Sequence, residues 1–254
     1  MWSRFIRGGT NKTSKTHNVD EEYNDLSTKA QRHSDFLTPC QETISTVLDS
    51  LTTPKKKDNL KPILSAYFDV SAEAAILCTR LLNRIHRVQS DHKRIQALLD
   101  DDGLLSSGSV GPELHSLSTL LAEDPFSDTH NLIMGEHFSS SVLLLEQGLL
   151  RSRNKRKVEL AAKGTYIVRR DLETMSRSVR RIQDEIEHNR EMVRLCLDRR
   201  EDSLSLGVVL KEMKNKSCGF GLQVEELQQH VCLFLVTINR VRTLVINEIV
   251  ESRL

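Results

Sequence analysis

Apolar residues recur along this chain at alternating intervals of three and four, the spacing that keeps one face of an α-helix aligned. The longest run is Val158, Ala161, Thr165, Val168, Leu172, Met175, Val179, Ile182, Ile186, Asn189, Val193 and Cys196, in which only Thr165 and Asn189 are polar. A repeat held over that length predicts coiled-coil-like packing, with a long helix over 151–200. Glu173 precedes Arg177 by four residues, a pairing that supports the same helix. Cys78, Leu81, Ile85, Val88, His92, Ile95 and Leu99 form a second seam and predict a helix over 60–99. Val224, Leu227, Val231, Phe234, Ile238, Val241, Val245 and Ile249 form a third and predict a helix over 222–252. An earlier series, Tyr23, Leu26, Ala30, His33, Leu37, Cys40, Ile44, Val47 and Leu51, predicts helix over 19–52. Within it, Thr38-Pro39-Cys40-Gln41 has the marks of a fresh start: a cap, a proline in the first turn and a glutamine to close a capping box. That stretch is one kinked helix or two consecutive ones.

Shorter signals fill the gaps. Gly111-Pro112-Glu113 opens a short helix carrying Leu114, Leu117, Leu120 and Leu121, and Asp124-Pro125 breaks it. A further helix from about residue 128 carries Leu132, Ile133, Phe138, Val142 and Leu145 and weakens at Gly148, so short helices occupy 112–150. Residues 203–221 contain three glycines around a brief apolar patch and predict a turn with a short helix. Residues 1–18 show no period and are expected to be a disordered arm. The remaining 19–252 form a single domain of the all-α class, an elongated antiparallel helical bundle. Positions flanking the long seam, among them Ala162, Gly164, Arg169, Asp171 and Ser176, are mixed and partly small. A dimeric coiled coil would carry complementary charge there, whereas a bundle presents such a wider face. An intramolecular bundle is therefore favoured over a parallel dimer, with helices crossing at about 20°. Monomer and homodimer both stay open. Asn189 either sets register within the seam or sits at a wet end of the bundle.

Composition sharpens the picture. Hydrophobic residues make up 38% and charged residues 28%, the balance of long helices that each bury one stripe. Aromatics at 4% are too few for a sandwich or barrel. The net charge of +1 argues against a nucleic-acid binder. Cys40, Cys78, Cys196, Cys218 and Cys232 are odd in number and lack a C-x-x-C, which predicts reduced thiols, with all but Cys218 serving as core filler. No stretch reaches the ~20 apolar residues of a membrane span, and 231–238 is expected to be a buried helix face closed by Arg240 and Arg242. The start carries Arg4, Arg7, Lys12 and Lys15 before the first acid, Asp20, which suits a solvated arm or an organelle transit peptide.

The patterns of phosphate-cradling loops, zinc proteases and nucleophile elbows are missing, so no catalytic, cofactor-binding or metal-ligating residue is assigned and a non-enzymatic protein is expected. Asp91-His92 with Lys93 and Arg94 forms a polar edge, and Asp184, Glu185, Glu187 and His188 form solvated pairs with neighbouring arginines. One unbalanced cluster remains: Arg151, Arg153, Lys155, Arg156 and Lys157, with Lys55, Lys56 and Lys57 as a smaller second one. Such runs bind anionic lipid, act as a nuclear address or track phosphates, and also occur as solvated helix starts. If the fold brings both to one end, they form one positive pole.

The final helix, through Glu225-Glu226-Leu227-Gln228-Gln229-His230-Val231-Cys232 and on to Ile249, together with Leu81-Leu82-Asn83-Arg84-Ile85-His86-Arg87-Val88, resembles a plant-specific family of uncharacterised helical proteins related to plant integrin-like proteins. The resemblance covers about residues 20–250 and rests on packing motifs. Many relatives carry membrane-spanning stretches where this chain has 203–221, which is too short and polar to span. What the resemblance implies is a plant protein linking membrane, wall or cytoskeleton, with no catalytic residues to carry over. Three functions compete: a scaffold holding a protein partner; a peripheral membrane protein held by the basic clusters and the Trp2, Phe5 and Ile6 arm; and a nuclear or nucleic-acid-associated protein using 151–157. A cytoplasmic location follows from the first two, with nuclear or organellar placement still open.

Overall fold

The computed structural model describes residues 44–49, 60–100, 111–127, 136–151, 155–198 and 203–251. Every regular element among them is an α-helix: α1 Leu60–Asp100, α2 Gly111–Leu121, α3 Glu136–Arg151, α4 Lys155–Asp198 and α5 Ser203–Glu251. A further helical turn at 44–49 buries Ile44, Val47 and Leu48 against them. The all-α class and the long helices are as the periodicity predicts. The arm at 1–18, the rest of the helix expected over 19–52 and the lysines at 55–57 lie outside the described residues.

Contacts between helices define the topology. Arg156 near the start of α4 meets Glu248 near the end of α5, so these two run antiparallel. Arg242 on α5 meets Phe68 on α1, while Lys214 meets Asp100, so α5 is antiparallel to α1 as well. α1 and α4 are therefore parallel. The fourth position is shared by α2 and α3. Pro125, just beyond α2, lies against Arg84 on α1, and Gly148 on α3 lies against Ile63 near the start of α1, so this broken helix runs against α1. The result is an up-down-up-down bundle, with α1 and α4 on one diagonal and α5 opposite the α2–α3 pair.

The seams face inward. Every seam residue of α4 is buried except half-buried Asn189, and the Thr165 hydroxyl donates to the Ala161 carbonyl at 2.9 Å, so its burial leaves no unpaired group. Cys78, Cys196 and Cys232 fill core positions, whereas Cys218 is exposed; Cys40 lies outside the described residues.

The structure corrects two expectations. Residues 203–221 are not a turn with a short helix. They are the first turns of α5, a single helix of 49 residues. The three-four seam continues backwards from Val224 through Phe220, Ser217, Met213 and Leu210, and Phe220, Met213 and Leu210 are buried. A glycine in a helix interior costs about 1 kcal/mol. Each buried large apolar side chain returns about 1.5–3 kcal/mol, which outweighs it. The second correction is Arg242, expected to close an apolar face and found 2% exposed. It lies beside Val241, which is only partly buried.

Gly164 explains how closely the long helices approach. A Cβ there would lie 2.7 Å from the Tyr67 hydroxyl and 2.9 Å from Val241 Cγ1, so α1, α4 and α5 converge on a position with no room for a side chain. Tyr67 is buried and stacks edge-on to Phe68 at 5.2 Å, which leaves it little freedom to yield. Gly219 is the opposite case, with nothing within 4 Å of its would-be Cβ. Gly164→Ala should destabilise by about 1–3 kcal/mol through overpacking, despite the better helix propensity of alanine. Gly219→Ala should stabilise by about 0.5–1 kcal/mol. Urea unfolding of the two variants beside the parent checks both signs, and equal shifts would contradict the close approach.

Candidate functional site

Toward the other end of the bundle, where α1, α2, α4 and α5 meet, a half-open cleft of about 40 Å³ lies among Val88, His92, Ile95, Leu121, Ile186, Asn189, Met213, Ser217 and Phe220. That volume admits two or three water molecules. His92 is its central polar group. Its ring lies 5.0 Å from the Phe220 ring and is hydrogen-bonded to the Ser217 backbone. Its Nε2 would sit 3.1 Å from a Cβ at residue 221, so Gly221 makes room for the imidazole. Burial pushes the His92 pKa below the ordinary histidine value, and the Ser217 hydrogen bond acts in the opposite direction. Asp91, Glu123, Glu185 and Lys216 ring the opening. His92 thus serves as a packed, predominantly neutral seam residue, and Asn189 lines the solvent-open cleft beside it.

The loop after α2 is fastened from two sides. Asp124 Oδ1 accepts from the Phe126 N–H at 2.8 Å and its Oδ2 accepts from Gln183 Nε2 at 2.9 Å. Arg84 donates to the Pro125 carbonyl at 2.9 Å and Arg190 Nε to the Leu121 carbonyl at 2.7 Å. Arg87 pairs with Glu123. Phe126 is fully buried beneath these bonds. A proline that halts the helix, an aspartate that turns the chain and a phenylalanine that anchors it make a clamp across α1 and α4. A shallow groove of about 350 Å³ runs beside it between Asp124, Arg180, Asp184 and Arg190.

The core holds further polar groups. Arg242 donates to the Phe68 carbonyl at 3.2 Å and to the Ser71 hydroxyl at 2.9 Å, and its guanidinium lies 5.7 Å from the Phe68 ring centre. Its positive charge partly offsets the burial that pushes the Tyr67 phenol far up. Asp171, 3% exposed, places Oδ1 3.9 Å from His230 Nε2, and its Oδ2 has no hydrogen-bond partner among the described residues. Burial drives the Cys78 thiol far up and that of Cys232 up to about 11, so both stay protonated and serve packing. Among the described residues no group of three or more His, Cys, Asp or Glu side chains could hold a metal ion, and no helix is long and apolar enough to cross a membrane.

The basic cluster falls at the opposite end from the cleft. Arg151 closes α3, and Lys155, Arg156 and Lys157 open α4. Arg156 is 84% exposed and 3.6 Å from Glu248, while Lys157 is half-buried. α1 begins at the same end, since Ile63 packs on Gly148. Arg153, Lys55, Lys56 and Lys57 lie outside the described residues, so the proposed joining of the two clusters falls outside them too. Periodicity missed Arg242, Asp171 and the His92–Gly221 contact. The only signal for them was a charged or small residue next to a seam position on a helix.

Fold and site together define a helical bundle whose polar interior groups fasten helix to helix. The chain is similar to UPF0496 protein 2 of rice, Oryza sativa, in both the indica and japonica subspecies, at 44% identity over 95 residues and 37% of this chain. The match takes in 23% of each rice chain, so this chain spans less than a quarter of the length of the relatives it matches. It is a partial homologue of an uncharacterised plant protein. No family model matches it, and no solved structure does.

The cleft generates a pH prediction. The folded pKa of His92 lies below its unfolded value of 6.5, so the unfolded chain binds the proton more readily. His92 therefore costs nothing well above pH 6.5 and removes stability as the pH falls through that value toward the folded one. The melting temperature of His92→Gln should drop less than that of the parent as the pH is lowered from about 7.5 to about 5.5. Parallel curves would show that His92 titrates freely.

Proposed function

We propose that the protein is a non-enzymatic scaffold that holds a protein partner along the outer faces of its long helices. The observation that carries this reading is the row of leucines on α5, Leu222, Leu233 and Leu244, which point away from the core in one line. Exposed apolar residues scattered singly are ordinary. Aligned along one helix, they form the kind of stripe that a partner helix covers. Leu143 and Leu144 on α3, with Tyr166 and Leu195 on α4, add apolar surface elsewhere. The interior supports the same reading, because Arg242, Gln183, Arg84 and Arg190 spend their hydrogen bonds on fixing helix positions. Such rigidity suits a surface that must be presented in one shape. Proximity labelling in plant cells with the full chain and with Leu222→Glu/Leu233→Glu/Leu244→Glu is the test. Partners should be lost in the variant, at unchanged helicity, and the interaction should be reproduced with the purified components. An identical set of labelled proteins would overturn the reading.

A second reading, a peripheral contact with anionic lipid, is favoured by one feature. Lys155, Arg156 and Lys157 occupy the first turn of α4, where the helix dipole disfavours positive charge and no acidic residue balances it within that turn. Cations kept at an unfavourable site, a few residues after Arg151 and Arg153 in the sequence, suit an anionic surface. A relation to plant integrin-like proteins, as the sequence resemblance implies, would give that surface a setting at the membrane. Vesicles containing phosphatidylserine should float the full chain at low salt and release it at high salt. Neutral phosphatidylcholine vesicles should leave it behind, as should reversal of the five basic residues Arg151, Arg153, Lys155, Arg156 and Lys157 to glutamate. Flotation that survives both high salt and charge reversal would eliminate this reading.

A further inference from the structure

Leu222, Leu233 and Leu244 are 56%, 54% and 48% exposed and stand eleven residues apart on α5. Eleven residues make slightly more than three turns, so successive leucines drift by only about 20° and line one face over roughly 33 Å. Four polar residues share that face: Glu226, Gln229, Thr237 and Arg240. Their order is symmetric about Leu233. Leu222 and Leu244 lie eleven residues to either side, Glu226 and Arg240 seven, Gln229 and Thr237 four.

From this symmetry we infer that the α5 stripe is the interface of an antiparallel homodimer, whose two-fold axis passes through Leu233. The inference rests on the reading of α5 as a docking surface and names its occupant as a second copy of this chain. With the copies antiparallel, Leu233 meets its own counterpart and Leu222 meets Leu244 twice. Glu226 meets Arg240 twice, and Gln229 meets Thr237 twice. Each contact is complementary, as a self-matching two-fold interface requires. Thr237 donates its own proton to the Leu233 carbonyl at 2.8 Å, which leaves its oxygen free to accept from Gln229 of the other copy. A parallel arrangement would set Glu226 against Glu226 and Arg240 against Arg240, so charge alone selects the antiparallel one. Glu226 and Arg240 are exposed, and no ion pair joins either to another described residue. α5 packs on α1 and α4 through its seam, so the stripe lies on the opposite side.

The test uses the full chain. Sedimentation equilibrium across a concentration series should show a reversible dimer. Glu226→Arg or Arg240→Glu alone should weaken it by about tenfold or more, because each puts like charges together twice. The double variant restores opposite charges and should restore the dimer. Leu233→Cys should form a disulfide-linked dimer on mild oxidation, since the two copies of residue 233 meet at the axis. The parent chain should not do so through exposed Cys218, whose copies lie far apart along the antiparallel pair. A dimer indifferent to the charge reversals, or one not linked through residue 233, overturns the proposal. So does a monomer at every concentration. Leu233→Glu then separates the two levels of the argument. If the monomer's melting temperature is unchanged but binding to another protein is lost, self-pairing fails and the scaffold reading survives. If the melting temperature falls and no binding is lost, the stripe is covered by the chain itself and both fail.

Discussion

The convergence of three helices on Gly164 sets the rest of the structure. With no side chain at that point, Tyr67 of α1 and Val241 of α5 lie directly on the α4 backbone. The adjacent Arg242 is thereby carried into the core, where the Phe68 carbonyl and the Ser71 hydroxyl receive it. Register fixed there is handed along the two parallel helices α1 and α4. Twenty-five residues beyond Tyr67 is His92, and twenty-five beyond Gly164 is Asn189. Both line the same cleft with Ser217 from α5. A one-turn slip at Gly164 would dismantle that cleft.

The buried polar groups work as locating pins. Hydrophobic burial is non-directional and would tolerate sliding of one helix over another. A hydrogen bond between buried groups is not so forgiving, because its loss leaves a desolvated atom. The Asp124 clamp fixes the broken α2–α3 layer against both diagonal helices, and Gln89 Nε2 donating to Gln228 Oε1 at 2.6 Å fixes α1 against α5. Not every buried polar atom is met: Asp171 Oδ2 and Arg190 Nη2 have no hydrogen-bond partner among the described residues, and the other oxygen of Asp171 lies 3.9 Å from His230 Nε2.

Much of the fold was legible in the sequence because a three-four seam states which face of a helix turns inward. The α1 and α4 seams are buried nearly as written, and the α2 leucines followed by Asp124-Pro125 end where the proline demands. Residues 203–221 misled because glycine propensity is a local quantity, whereas the burial of Leu210, Met213 and Phe220 depends on α1 and α4. Arg242 was illegible for a similar reason: nothing beside it in sequence announces the Phe68 carbonyl. The candidate site was less legible still. The basic run at 151–157 stands out as charge, but its neighbour Glu248 comes from the far end of another helix. The symmetric stripe on α5 lies off the core seam, at positions that the three-four period assigns to the solvent side.

The Arg242–Phe68 hydrogen bond joins residues 174 positions apart, and that distance has a consequence during synthesis. α1 is made first of the five helices and the segment that covers it, α5, is made last. At ~5–20 residues per second, the ribosome needs on the order of ten seconds or more to travel from one to the other. Throughout that interval Leu64, Tyr67 and Phe68 have no α5 to pack against, while α2, α3 and α4 emerge in turn. The nascent chain therefore passes through a stage with a sticky, half-built groove, and a chaperone that binds amphipathic helices would find its target there and lose it when α5 arrives.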